Sequence, residues 1–222
     1  RTARLHYNLA QALDAAGQSE EAGNEFEHAL ALEPHFPEAH YAYANHLLRV
    51  QDTSAAVRHY EAAIQARPVY AEAHNNLGNL LADRKDLTGA RSHFEEALRI
   101  DPSFAEAHDN EARMLVADGK VTEALAHARR AVEFNPDSPS AHYNLGQLFQ
   151  FNGSTADAVS EYRKSLRLRP DFVAAHVALG ATLGNAGRID AAIAEFQAAL
   201  RLEPENAVAR KYLDLAMSGR GH

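Results

Sequence analysis

Residues 71–104 read AEAHNNLGNLLADRKDLTGARSHFEEALRIDPSF, and residues 173–206 read VAAHVALGATLGNAGRIDAAIAEFQAALRLEPEN. Laid on one another, the two stretches share His, Leu, Gly, Leu, Ala, Phe, Ala and Pro at matching places. The proline sets the period: Pro34, Pro68, Pro102, Pro136, Pro170 and Pro204 follow one another at intervals of 34 residues without a slip. Proline stops a helix because its ring clashes with the preceding turn and it offers no N–H. Six equally spaced stops imply six copies of one unit, and a strict period of this length marks a solenoid. A solenoid presents a long surface rather than a single deep pocket.

Aligned on that proline, the chain divides into units 3–36, 37–70, 71–104, 105–138, 139–172 and 173–206. Twelve residues before each proline stands alanine: Ala22, Ala56, Ala90, Ala124, Ala158, Ala192. Eight before it is an aromatic (Phe26, Tyr60, Phe94, Tyr162, Phe196), with Ala128 the exception. Five before it come Ala29, Ala63, Ala97, Ala131, Ser165 and Ala199. Offsets of four and three place these on one stripe of a helix, where small residues admit a close neighbour and the aromatic fills the space beside them. The first half of each unit carries its own stripe. Its fourth position is His6, His40, His74, His108, His142 or His176, its seventh is usually Leu, and its eighth is Gly or Ala. Between the halves lie Gly17, Gly119, Gly153 and Gly187, followed by Ser19, Thr53, Thr88, Thr122 or Thr155, which suit helix starts. Each unit reads as a helical hairpin, and no alternating run of β-branched residues points to a sheet.

The pattern resembles the tetratricopeptide repeat (TPR), with histidine where that family often has tryptophan or tyrosine. The resemblance covers residues 3–206 and implies an all-α, right-handed superhelical solenoid of six units. Residues 207–217 begin a seventh first helix with Arg210 at the histidine position and Asp214 at the small-residue position. That composition reads as a capping helix with a polar outer face, and residues 218–222 as a frayed tail. Arg1 leads almost directly into the first unit, with no cap and no initiator methionine. The chain therefore reads as the C-terminal part of something longer, with a further domain or repeats expected upstream.

Composition narrows the function classes. A formal charge of −8 argues against nucleic acid, whose phosphates need clustered Lys and Arg. No apolar run approaches the length that crosses a bilayer. Zero cysteines exclude disulfides and thiolate metal sites. A soluble protein is expected, with the cytoplasm favoured over periplasmic or extracellular space.

The resemblance also implies that positions 2, 5, 6, 9, 12 and 13 of each unit face a concave groove. Position 6 reads Asn8, Ala42, Asn76, Asn110, Asn144, Ala178, and position 9 reads Gln11, Asn45, Asn79, Arg113, Gln147, Ala181. This is similar to the asparagine ladder in the superhelical array of O-linked N-acetylglucosamine transferase, where amides hold the backbone of an extended peptide. A carboxamide offers both donor and acceptor and pairs with a peptide unit of any sequence. Asparagine is a poor helix former, so propensity gives no reason for it to recur. Tyr7, Tyr41, Tyr143 and Phe151 stand around the amides as candidate anchors. In the groove positions Arg4, Arg49 and Arg113 oppose Asp14, Glu38, Glu72, Asp83, Glu106 and Asp109; three against six leaves −3. A basic or neutral segment is the expected ligand. The two-carboxylate clamp for chaperone C-termini is not expected, because Glu72, Asn75, Asn76, Glu106, Asp109 and Asn110 stand where it needs Lys and Arg.

Other constellations carry less. The thirteen histidines include no pair at i,i+3 or i,i+4, and those at position 4 fall one per repeat, so no metal site and no cofactor are expected. His59, His93 and His127 form a second row, read as a solvated face. Gly180, Gly184 and Gly187 lack the Lys-Ser/Thr of a phosphate loop. Asn152-Gly153-Ser154 is a formal glycosylation sequon in a turn. Glu111 stands where the other repeats bury Leu or Tyr43. No nucleophile–base pair appears, so the expectation is a protein-interaction module binding an extended non-acidic segment, with no catalysis of its own. The alternatives are a substrate-recruiting arm of a larger enzyme such as a glycosyltransferase, and a structural subunit of an assembly.

Overall fold

A computed structural model describes residues 2–219. Its described residues form thirteen α-helices and no strand. The first helices are α1 (Ala3–Ala15), α3 (Pro37–Arg49), α5 (Ala71–Asp83), α7 (Ala105–Ala117), α9 (Pro139–Phe151) and α11 (Val173–Asn185). Their partners are α2 (Ser19–Leu32), α4 (Thr53–Ala66), α6 (Leu87–Ile100), α8 (Val121–Phe134), α10 (Thr155–Leu168) and α12 (Ile189–Leu202). The thirteenth, α13, runs Ala207–Gly219, two residues past the expected end; the last three residues of the expected tail lie outside the described residues. Every first helix has 13 residues and every second helix 14, so the sequence period is reproduced in the backbone. The second helix of each repeat stops two residues before its proline, and the residue between them is driven out of the helical region, as at Arg67, which is extended (φ −139°, ψ 90°).

The turn inside each hairpin has one left-handed residue at a fixed place. It is Gly17, Gly119, Gly153 and Gly187 in four repeats, with φ between 74° and 79°, but Gln51 (φ 67°) and Lys85 (φ 68°) in repeats two and three. Helix starts differ in detail from the sequence reading. Thr53 and Thr88 lie just inside their helices, and the side chains that cap are Asp52, accepting from the Ala55 N–H, and Asp86, accepting from the Gly89 N–H.

The chain divides into two compact units between Ala107 and His108. In the first unit, Phe26, Ala44, Ala56, Tyr60, Ala63 and Ala73 are wholly buried and form its core with Tyr43, Leu47, Leu77 and Leu80. In the second, Ala124, Ala128, Leu145, Ala158, Tyr162, Leu179, Leu183 and Phe196 do the same. The stripe read from sequence is thus the core in both. At position 8 the absence of a side chain matters: a Cβ on Gly146 would lie 2.7 Å from the Tyr162 ring, and one on Gly78 2.6 Å from the Phe94 ring. Ser165, in the alanine stripe, is wholly buried and donates its hydroxyl to the Pro139 carbonyl at 2.8 Å. Helix α13 closes the second core through Leu213, Ala216 and a Tyr212–Phe196 ring stack at 5.6 Å. Its outer face is less polar than the sequence suggested, since Val208, Leu215 and Met217 are exposed beside Arg210 and Asp214.

Candidate functional site

The histidine at position 4 does more than fill an aromatic's seat. Its Nε2–H donates to the carbonyl of the proline that ends the preceding repeat: His40 to Pro34 at 2.9 Å, His74 to Pro68 at 3.2 Å, His142 to Pro136 at 2.9 Å, His176 to Pro170 at 3.0 Å. Arg210, at the same place in α13, reaches the Pro204 carbonyl in its stead. The other ring nitrogen faces a residue 19 positions on, in the second helix of its own hairpin. In repeats one, five and six this is a carboxylate: His6–Glu25 at 2.5 Å, His142–Glu161 at 2.6 Å, His176–Glu195 at 2.7 Å. In repeats two to four it is a second histidine: His40–His59 and His74–His93 at 2.9 Å, His108–His127 at 3.0 Å. With Nε2 donating to proline, the Nδ1 of His40 or His74 accepts from the second ring, so the first ring of each pair is neutral. Burial holds His40, His74, His93 and His127 below the ordinary histidine range and pushes His59 down to about 4, its neighbours His40 and Arg58 adding to the effect. The row read as a solvated face is instead half-buried, ring against ring.

In the first unit two of the amides expected to face a groove, Asn45 and Asn76, are tied to neighbouring helices. The Asn76 amide donates toward the Tyr41 hydroxyl (3.2 Å), the Asn45 Oδ1 (3.3 Å) and the Tyr60 hydroxyl (3.4 Å). The Tyr60 hydroxyl in turn donates to Asn45, and burial pushes its phenol up to about 12. Tyr41 packs against the rings of Tyr60 (5.8 Å) and Tyr70 (5.0 Å). Two of the six groove carboxylates have cationic partners: Arg49 with Asp14, and Arg67 with Glu38. Asn79 is half-buried on α5, while Asn8, Glu72 and Glu106 are exposed.

In the second unit a cavity of about 630 Å³ opens between α7 and α9. Its lining comes from the expected inner positions of both helices: Asp109, Arg113 and Val116 on one side, Asn144, Gln147 and Phe151 on the other. Asn144 donates to Asp109 Oδ2 at 2.7 Å and keeps its carbonyl oxygen and second N–H for other partners. Asp109 is held above the usual carboxylate range by burial, against the pull of Asn144 and Arg113. Gln147 donates to the Tyr143 hydroxyl at 2.9 Å, and Phe151 stands 71% exposed at the end of α9. Arg113 donates to Asn110, which is itself buried.

Tetratricopeptide repeat models match residues 3–36, 41–105 and 143–207, and a TPR repeat model matches 112–153. The chain belongs to the tetratricopeptide repeat family. No curated protein matches it. Among solved TPR-like folds it is similar to the APC/C hetero-tetramer Cut9–Hcn1, with 14% identity and a TM-score of 0.85 over 97% of this chain and 43% of that one. It is also similar to pilF of Pseudomonas aeruginosa (18% identity, TM-score 0.83, 95% of this chain and 96% of that one). The third is YrrB, described as a TPR protein with an unusual peptide-binding site (22% identity, TM-score 0.64, 84% and 96%). These likenesses establish the TPR fold.

Set on that fold, the expected site residues separate into three groups. Asp109, Arg113, Asn144, Gln147 and Phe151 share one cavity. Asn45, Asn76 and Tyr41 share a hydrogen-bonded cluster within the first unit. Asn110 is buried, and Tyr143 is half-buried against Tyr162 and Phe172. Among the described residues no helix is long and apolar enough to cross a membrane.

Proposed function

We propose that this TPR chain is a protein-interaction scaffold that holds an extended, non-acidic peptide segment along the inner face of its first helices, without catalysis of its own. The α7–α9 cavity of the second unit carries the reading. It is the size of a ligand site, lined by the apolar Ala112, Val116, Leu148 and Phe151 and by the polar Asn144, Gln147 and Arg113. Asn144 supplies backbone pairing without regard to ligand sequence, and Phe151 buries a large area at little entropic cost. Asp109, whose carboxylate already accepts from the Asn144 amide, disfavours an acidic side chain entering beside it. Asn45, Asn76 and Asn110 act chiefly by positioning, because they already bond within the repeats or lie inside them. The peptide-binding site attributed to YrrB gives this reading a precedent within the fold.

Selection from a random peptide library displayed on phage tests it, using the whole chain as bait. Enriched sequences are expected to be poor in Asp and Glu, and binding is expected to fall when Asn144 and Phe151 are replaced by alanine. Enrichment of acidic peptides, or undiminished binding by the double variant, would overturn the assignment.

A further inference from the structure

Among the described residues, the first hairpin alone gathers three metal-ligating side chains closely. His6 on α1 sets Nδ1 2.5 Å from Glu25 Oε2 on α2, and one turn further along α2 His28 sets Nδ1 3.8 Å from Glu25 Oε1. The two imidazole rings meet edge to face at 5.4 Å. One donor atom from each of the three residues lies within 4.8 Å of the other two. Two imidazole nitrogens and one carboxylate oxygen form a set that zinc uses in open sites, with bonds of about 2.0–2.2 Å. Tetrahedral geometry at those lengths puts donor atoms about 3.3–3.6 Å apart. The His6–Glu25 contact has to open by roughly 1 Å, and His28 has to close its 3.8 Å separation from Glu25 by a few tenths of an ångström. His28 is free to do so, since its side chain is 62% exposed, while His6 and Glu25, at 12% and 18%, are held by the hairpin.

We propose that His6, Glu25 and His28 bind a single borderline divalent transition ion, zinc being the type case, with a solvent-facing position left for water. Two neutral imidazoles and one carboxylate leave the bound ion a net single positive charge, and ligation at Nδ1 keeps the His6 proton on Nε2. The ion joins α1 to α2 and stabilises the first hairpin by binding only its folded form. Repeat five is the internal control. It keeps the His142–Glu161 pair, but at the place of His28 stands Lys164, whose ammonium donates to Glu161 Oε1 at 2.6 Å. Lysine there neutralises the carboxylate and cannot ligate; histidine there can do both. Ala62, Arg130 and Ala198 at that position supply no ligand, and in repeat three, where His74, His93 and Glu96 offer the same donor types, Arg99 holds the Glu96 carboxylate; among the described residues only the first hairpin brings three such donors within 4.8 Å of one another.

The experiment is a zinc titration by calorimetry of the whole chain and of its His28→Lys variant, which copies repeat five and preserves a partner for Glu25. The wild type is expected to take up one ion saturably and to melt at a higher temperature with zinc present. The variant is expected to bind about 10–100-fold more weakly, or not at all, with an unchanged melting point in the absence of metal. Cobalt(II) supplies a second readout: intense visible ligand-field bands in the wild type that His28→Lys abolishes. Equal zinc affinity in the two proteins would assign any binding to dispersed histidines and overturn the proposal. So would the absence of saturable binding by the wild type.

Discussion

Lys85 and Gln51 show how a single residue carries the hairpin turn. Both occupy the left-handed region that glycine fills in the other four repeats, where a side chain costs roughly 1–2 kcal/mol. Lys85→Gly is therefore expected to raise stability by up to about 1 kcal/mol, once the extra freedom glycine gives the unfolded chain is set against it. Chemical denaturation of the two forms measures the difference. Asn76 runs the other way. The sequence alone presents it as an exposed amide whose removal a helix would welcome, but its N–H groups serve Tyr41, Asn45 and Tyr60. Asn76→Ala is expected to destabilise the chain by about 0.5–1.5 kcal/mol, and a stability gain would mean that those bonds contribute nothing. Gly146→Val is expected to cost more, about 1–3 kcal/mol from overpacking against the buried Tyr162 ring, read as a lower denaturation midpoint. The glycine and alanine stripes were legible because their spacing is local. Asn76's partners were not, because they come from other helices.

At the scale of the hairpin, the pairing of position 4 with the residue 19 places on was present in the sequence as a fixed offset. It became meaningful only once the two helices were folded back on one another. Searching for histidines at i,i+3 or i,i+4 finds ligands on one helix and misses those on two, which is why His6 and His28 escaped a spacing argument. The same geometry makes stability depend on pH. His40, His59, His74, His93 and His127 have folded values below those of the unfolded chain. Below the ordinary histidine range near 6.5 the unfolded chain therefore binds more protons than the folded one. Their contribution is intact above that pH and declines as pH falls, for His59 until about 4. Denaturation midpoints measured from pH 7.5 to 5 are expected to fall steadily. His127→Glu converts repeat four to the His–Glu arrangement of repeats five and six and gives the His108 ring an anionic partner, with Arg130 close by on α8. That variant is expected to lose less stability over the same range than the wild type. An identical slope would show that the His–His pairs are not the titrating element.

The molecule as a whole is an all-α array of TPR hairpins in two compact units. The family and the hairpin count were readable from six prolines and two stripes, because a repeat needs only nearest-neighbour packing and so writes its rules locally. The candidate site was legible only in part. At α7 and α9 the expected inner positions line a cavity, whereas Asn45, Asn76 and Asn110 are taken up by internal bonds or burial. The central claim is that the second unit's cavity is where a peptide is held. The most direct measurement is the affinity of one library-selected peptide for three proteins: the wild type, Asn144→Ala/Phe151→Ala, and Arg163→Ala on the exposed side of α10. The account predicts a loss of about 10–1,000-fold for the cavity variant, wild-type affinity for Arg163→Ala, and unchanged folding in both. Equal binding by the wild type and the cavity variant, or a loss confined to Arg163→Ala, would contradict it and move the site to the outer helices.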